Sequence, residues 1–131
     1  MPTRFNDWFR QAKRDLSHAR EDVKSGFYEW ACFSAQQAAE KAIKAVYQHL
    51  HAEAWGHSVK KLLESLPKKI SCTADLIESG AALDKYYIPT RYPNGFDIGT
   101  PEDYYSKKDA EEAVSHAERV IRFCENHLPE S

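Results

Sequence analysis

Between Tyr87 and Pro93 the chain reads Tyr-Ile-Pro-Thr-Arg-Tyr-Pro, and Arg91 is the residue in it best suited to chemistry. A guanidinium is planar, stays charged at any ordinary pH and offers a fork of N–H donors that matches a phosphate. Tyr87 and Tyr92 flank Arg91, and Pro89 and Pro93 stiffen the backbone on both sides. An arginine held this way suits a phosphate or a nucleobase. The alternative is an arginine that ties its loop to a carboxylate such as Glu40 or Asp84. Gln37, Lys41 and Lys44 stand at helical spacing and form a strip for an adjoining wall, while Gln36, Glu40 and Lys44 line the neighbouring face.

Other chemistries find little support. The six histidines, His18, His49, His51, His57, His116 and His127, include no HExxH and no pair four residues apart. Glu112 and His116 have that spacing, which is ordinary on a helix. Cys32, Cys72 and Cys124 lie far apart with no CxxC, so neither a disulfide framework nor a cysteine-based zinc site is expected. Cys32 and Cys124 read as small core residues. No GxxxxGK[ST] or GxGxxG occurs, and no cofactor or metal is expected.

The elements that must position Arg91 are helical. The run from Glu29 to His51 has neither Gly nor Pro and is dense in alanine, which predicts a central helix packed closely on several neighbours. Before it, Phe5, Trp8, Ala12, Leu16, Ala19 and Val23 make an apolar stripe for a first helix over about 3–25, with Thr3 or Asn6 as cap, surface pairs such as Arg10–Asp7 and Lys24–Glu21, and Gly26 as stop. A short helix follows Gly56-His57-Ser58 and closes at Pro67. Thr73 caps a fourth, reaching about Tyr87, which Gly80 weakens and divides. Residues 88–105, with three prolines and two glycines among several aromatic rings, read as a structured loop, and Pro93-Asn94-Gly95 as a turn. Ser106 and Asp109 form a capping box for a last helix to about His127.

The 131 residues suffice for one domain, 1–131. No apolar run spans a bilayer and the charged N-terminus lacks a signal-peptide core, which points to a cytoplasmic protein. The net charge of −2 hides an asymmetry: residues 1–70 carry 12 Lys/Arg against 8 Asp/Glu (+4), and residues 71–131 carry 6 against 12 (−6). The basic half suits phosphates, or equally the acidic half of the same chain.

These segments resemble a stand-alone HEPN domain. The resemblance covers almost the whole chain and rests on WFRQAKRDLSHA at 8–19, GFYEW at 26–30, FSAQQAAEKAIKA at 33–45, Gly56-His57-Ser58, Tyr87 with Arg91-Tyr92-Pro93, and the start of the last helix. It implies an all-α, up-and-down bundle of four to five helices of the nucleotidyltransferase substrate-binding type, usually a homodimer, and often the partner of a minimal nucleotidyltransferase in a two-component or toxin–antitoxin pair. Many members are ribonucleases in which an Arg is followed after four to six residues by a His. Here positions 96–98 hold Phe96, Asp97 and Ile98. The arginine is kept and the imidazole is missing, so proton transfer lacks its usual group. The favoured reading is a module that binds a nucleotide or nucleic-acid phosphate through Arg91, Tyr87 and Tyr92 with Gln37, Lys41 and Lys44. The alternatives are a ribonuclease using Arg91 with Asp97 or a histidine from elsewhere, and a structural partner whose Arg91 pins the loop.

Overall fold

A computed structural model describes residues 3–130. Five helices follow in order: α1 (Phe5–Ser25), α2 (Tyr28–His49), α3 (Val59–Glu64), α4 (Ala74–Asp84) and α5 (Lys107–Glu125). Among the described residues there is no strand, and the chain is all-α as expected.

Helix α1 buries Ala12, Leu16 and Ala19 along the predicted stripe. Its start differs from expectation: Arg4 occupies the cap position, no side chain caps it, and Asn6 is already helical. The pair there is Arg4–Asp7 at 3.0 Å rather than Arg10–Asp7, which has the same three-residue spacing; Lys24–Glu21 forms at 3.6 Å. Gly26 stops α1 at φ 82°, where a Cβ would be strained. The Phe27 N–H then reaches back to the Asp22 carbonyl at 2.9 Å, and the chain reverses into α2. The antiparallel pairing shows at the far end, where the Arg4 N–H donates to Gln48 Oε1 at 3.2 Å.

Helix α2 is the centre. Ala31, Ala35, Ala38, Ala39, Ala42 and Ala45 are all fully buried, and these small side chains leave room for close neighbours. Helix α1 packs along α2 on one side and α5 on another. Arg20 on α1 meets Glu118 on α5 at 2.8 Å, so part of the charge asymmetry is satisfied within the chain.

Two contacts fix α3 and α4. Asp84, the last residue of α4, accepts the Val59 N–H at 2.6 Å and the Ser58 hydroxyl at 2.7 Å, so it caps α3 and is not free for Arg91. Helix α4 ends at Asp84, short of the predicted Tyr87. Gly80 does not divide it. A Cβ on Gly80 would lie 3.0 Å from the Lys60 nitrogen and 3.1 Å from its Cα, so the glycine lets α3 approach α4. Thr73 and the Ser106/Asp109 box cap α4 and α5 as predicted.

Between α4 and α5, the fully buried Ser79 accepts from Arg119 at 2.8 Å and bonds His116 Nδ1 at 3.0 Å. Burial first, and Arg119 second, hold the His116 pKa below its usual value, while Glu112 opposes them. Protonating the ring would place a second positive charge beside Arg119 at Ser79.

Two outcomes test this packing. Helix propensity alone says Gly80→Ala should gain about 1 kcal/mol. Overpacking against backbone should instead cost about 1–3 kcal/mol, read as a lowered Tm; a raised Tm would refute the close approach. For His116, the unfolded state binds its proton more readily than the folded one. The penalty on folding therefore begins as pH falls through the ordinary histidine value of about 6.5 and is complete below the depressed folded value. Denaturant unfolding at pH 8 and pH 5 should show a smaller loss of stability on acidification for His116→Gln than for the natural chain.

Candidate functional site

The loop after α4 brings Arg91 against rings from two elements. Its Cζ lies 4.4 Å from the ring centre of Phe33 on α2, 4.8 Å from Tyr87 and 5.2 Å from Tyr92. Arg91 Nε donates to the Tyr87 carbonyl at 2.9 Å. The rings thus cover the guanidinium and the loop holds its root. Arg91 makes no ion pair among the described residues, and neither Nη atom has a hydrogen-bond partner there. The carboxylates that sequence offered as anchors are engaged elsewhere, Asp84 on α3 and Glu40 on its own helix.

Glu40 is 4% exposed, and so buried a carboxylate needs partners. It receives Lys44 Nζ at 3.0 Å, Gln36 Nε2 at 3.1 Å and His57 Nδ1 at 3.1 Å. The same Gln36 amide donates to the His57 carbonyl at 3.0 Å, and Gln37 donates to Gln36 Oε1 at 2.8 Å. Ring and backbone of His57 are therefore both clamped to α2, although half of its side chain stays exposed. Its imidazole stacks on Tyr87 with centres 4.5 Å apart and planes 19° apart. Arg91 and His57 thus meet the same tyrosine.

The structure gathers Arg91, Tyr87 and Tyr92 together, and joins Gln37 and Lys44 to them through Glu40 and His57. Lys41 is not in this group. It points to α1, where it meets Asp15 at 2.6 Å. Asp97 lies on the exposed arm of the loop, and its carboxylate takes part in no hydrogen bond or ion pair among the described residues.

His57 and Phe33 were missed as site residues. The available signal was Gly56-His57-Ser58 directly before a helix: Gly56 adopts φ 81° and delivers the imidazole toward α2. Nothing in the local sequence says that the ring would reach Glu40.

The two ends of the loop are folded onto the body, through Tyr86 and Thr90 on one side and Pro101 and Tyr105 on the other, while most of residues 92–100 are exposed. Thr90, 1% exposed, donates to the Tyr86 carbonyl at 2.6 Å, and Tyr86 packs edge-on to Tyr105 at 6.1 Å. Burial pushes the Tyr86 hydroxyl up to about 12 and the Cys32 thiol up to about 12, so both stay protonated. Among the described residues no group of three or more His, Cys, Asp or Glu side chains is placed to hold a metal ion. An open cleft between the start of α1 and the end of α5, lined by Phe5, Phe9, Arg10 and Lys13, does not include Arg91 or His57.

Residues 5–127 match the HEPN domain description. The chain belongs to the HEPN family. The solved structure of TT1696 from Thermus thermophilus superposes on this HEPN chain with a TM-score of 0.95 at 43% identity, covering 97% of this chain and 100% of that one. ST0689, described as an archaeal HEPN homologue, gives a TM-score of 0.80 at 40% identity over 96% of this chain and 98% of its own. The HEPN domain protein TM0613 of Thermotoga maritima gives 0.75 at 43% identity over 92% and 95%. A protein of Methanocaldococcus jannaschii named "Putative toxin MJ1304" is 27% identical over 94% of this chain and 87% of its own length. Among the described residues, no helix of this HEPN chain is long and apolar enough to cross a membrane.

The Glu40 network yields a test. Replacing Glu40 by Ala leaves the largely buried Lys44 without its partner and releases His57. The expected loss is about 2 kcal/mol in chemical denaturation, reduced from that of a wholly buried pair because His57 is half exposed. Glu40→Gln should lose less, since its amide oxygen still accepts.

Proposed function

We propose that this HEPN domain is a phosphate-recognising module for a nucleotide or RNA, acting as a cytoplasmic homodimer beside a minimal nucleotidyltransferase partner. The observation that carries the reading is Arg91: its faces are covered by rings, its Nε is spent on the loop, and among the described residues its two Nη atoms are unpaired. An arginine arranged so presents only its edge, the geometry that takes two oxygens of one phosphate. Tyr92, 48% exposed, supplies a free ring surface beside that edge for a base. Homodimer and nucleotidyltransferase come from the HEPN resemblance. The exposed Trp30, packed on Phe33, and the exposed Ile88 beside Tyr87 supply apolar area for a second copy.

A second reading, an RNA-cleaving toxin of a toxin–antitoxin pair, is favoured by the name of the archaeal relative and by the arrival of His57 beside Tyr87.

Calorimetric titration with ATP, GTP and a short single-stranded RNA tests the binding reading. One of them should bind, with affinity falling as salt rises. Arg91→Ala should weaken it at least tenfold, and Arg91→Lys should restore it only in part. Absence of heat with all three would instead indicate a structural partner.

A further inference from the structure

We propose that Trp55, with Lys60, Lys61 and Lys85, forms a stacking and phosphate-tracking subsite for a single-stranded nucleic acid, so that the Arg91 site holds one part of a strand rather than a lone nucleotide. The proposal rests on the reading of Arg91 as a phosphate site.

Trp55 is 79% exposed and meets no other ring among the described residues. An indole has a large apolar area to bury, and one left in water forgoes that gain. A loose loop would explain the exposure, but Trp55 does not stand on one. Two residues on, His57 is held to α2 twice, by its ring at Glu40 and by its carbonyl at Gln36. Ser58 donates to Asp84 at 2.7 Å, and the Val59 N–H donates to the same carboxylate at 2.6 Å. The indole thus projects from an anchored segment. Such a ring gives up little conformational freedom when a flat partner stacks on it, and every nucleobase offers a face of that kind.

The charges beside the ring identify the partner. Residues 53–70 carry Lys60, Lys61, Lys68 and Lys69 against Glu53 and Glu64, a balance of +2 in a chain whose total is −2. The lysine ion pairs among the described residues are made by Lys24, Lys41, Lys44 and Lys108, so these four ammonium groups have none. Lys85 is exposed and equally without a pair there. Asp84 brings it beside Lys60, because that carboxylate receives the Lys60 N–H at 3.4 Å and Lys85 is the next residue. An exposed ring among uncommitted ammonium groups fits a chain of alternating bases and phosphates. An acidic peptide would use the lysines and leave the indole idle.

Arg91 is a short way off. Its Cζ is 4.8 Å from the centre of Tyr87, and the His57 ring is 4.5 Å from that centre. Two residues of chain, at most about 7 Å, lead from His57 back to Trp55. A flexible strand of a few nucleotides covers this span past either face of Tyr87. None of these contacts reads the sugar, so a deoxy strand serves as well as RNA.

The test titrates the purified full chain with thymidine monophosphate and with an oligo(dT) of about eight residues, over a series of salt concentrations. The natural chain should bind the oligomer at least tenfold more tightly than the monophosphate. Trp55→Ala should weaken the oligomer about tenfold and leave the monophosphate unchanged. Trp55→Phe, which keeps a ring, should retain most of the affinity. Replacing Lys60, Lys61 and Lys85 together by Ala should lower the slope of log affinity against log salt by about 0.7 for each lysine that meets a phosphate. All four side chains are exposed, so these variants should keep the melting temperature of the natural chain. An oligomer bound no more tightly than the monophosphate, or bound equally by Trp55→Ala, would overturn the subsite and leave the Arg91 reading standing. Polyglutamate that competes with the oligomer equally well in the natural chain and in Trp55→Ala would overturn it in favour of an acidic protein. Phosphatidylserine vesicles bound where the oligomer is not would overturn it in favour of a membrane surface. Neither nucleotide probe bound would overturn the phosphate reading as well.

Discussion

A buried carboxylate on the central helix sets the arrangement of the side that carries Arg91. Glu40 lies on α2 among fully buried alanines, where an unpaired charge would cost several kcal/mol. Its neutralisation recruits Lys44 from the next turn, Gln36 from the previous one and His57 from the segment before α3. That last bond folds residues 50–58 back along the helix. Tyr87 then has an imidazole to stack on, and Arg91 has Tyr87. Each contact in this chain is modest in itself. Their common dependence on Glu40 makes them a unit, since releasing one end removes the surface on which the next one rests.

Local chemistry explains what could be read from the residues alone. Gly26, Thr73 and the Ser106/Asp109 box act within one turn of their own positions, and all did what their types predict. The alanine density of α2 correctly marked a helix with neighbours on several sides. The Arg91 setting was legible in part because Tyr87 and Tyr92 are near it in sequence. What was not legible depends on distant pairs. Asp84 is spent on the start of α3, 25 residues back, and so is not an anchor for Arg91. Lys41 turns to Asp15, 26 residues away, because α1 lies on that side of α2. Gly80 is a contact point rather than a weakness because Lys60 backbone lies against it. His57 could be noted as part of Gly-His-Ser, yet its role needs the packing of a loop on a helix that precedes it.

Close superposition on HEPN structures establishes where the backbone goes. The function lives in a handful of side chains, and a fold of this kind can carry several activities. In this chain positions 96–98, where the family resemblance implies a histidine, hold Phe96, Asp97 and Ile98, and the imidazole that reaches Tyr87 is His57, from the segment before α3.

The alanine faces of α2 have a further meaning for how such a protein can change. A methyl side chain is the smallest that still favours a helix, so a substitution on those faces can hardly shrink the packing and mostly enlarges it, pushing α1 or α5 outward. The spacing of α1 and α5 about α2 therefore tolerates little enlargement there, whereas residues 50–58 and 85–106 lie outside those close-packed faces. A bundle built this way resembles a spindle whose shaft is set by methyl-sized contacts and whose fittings are the segments between the helices.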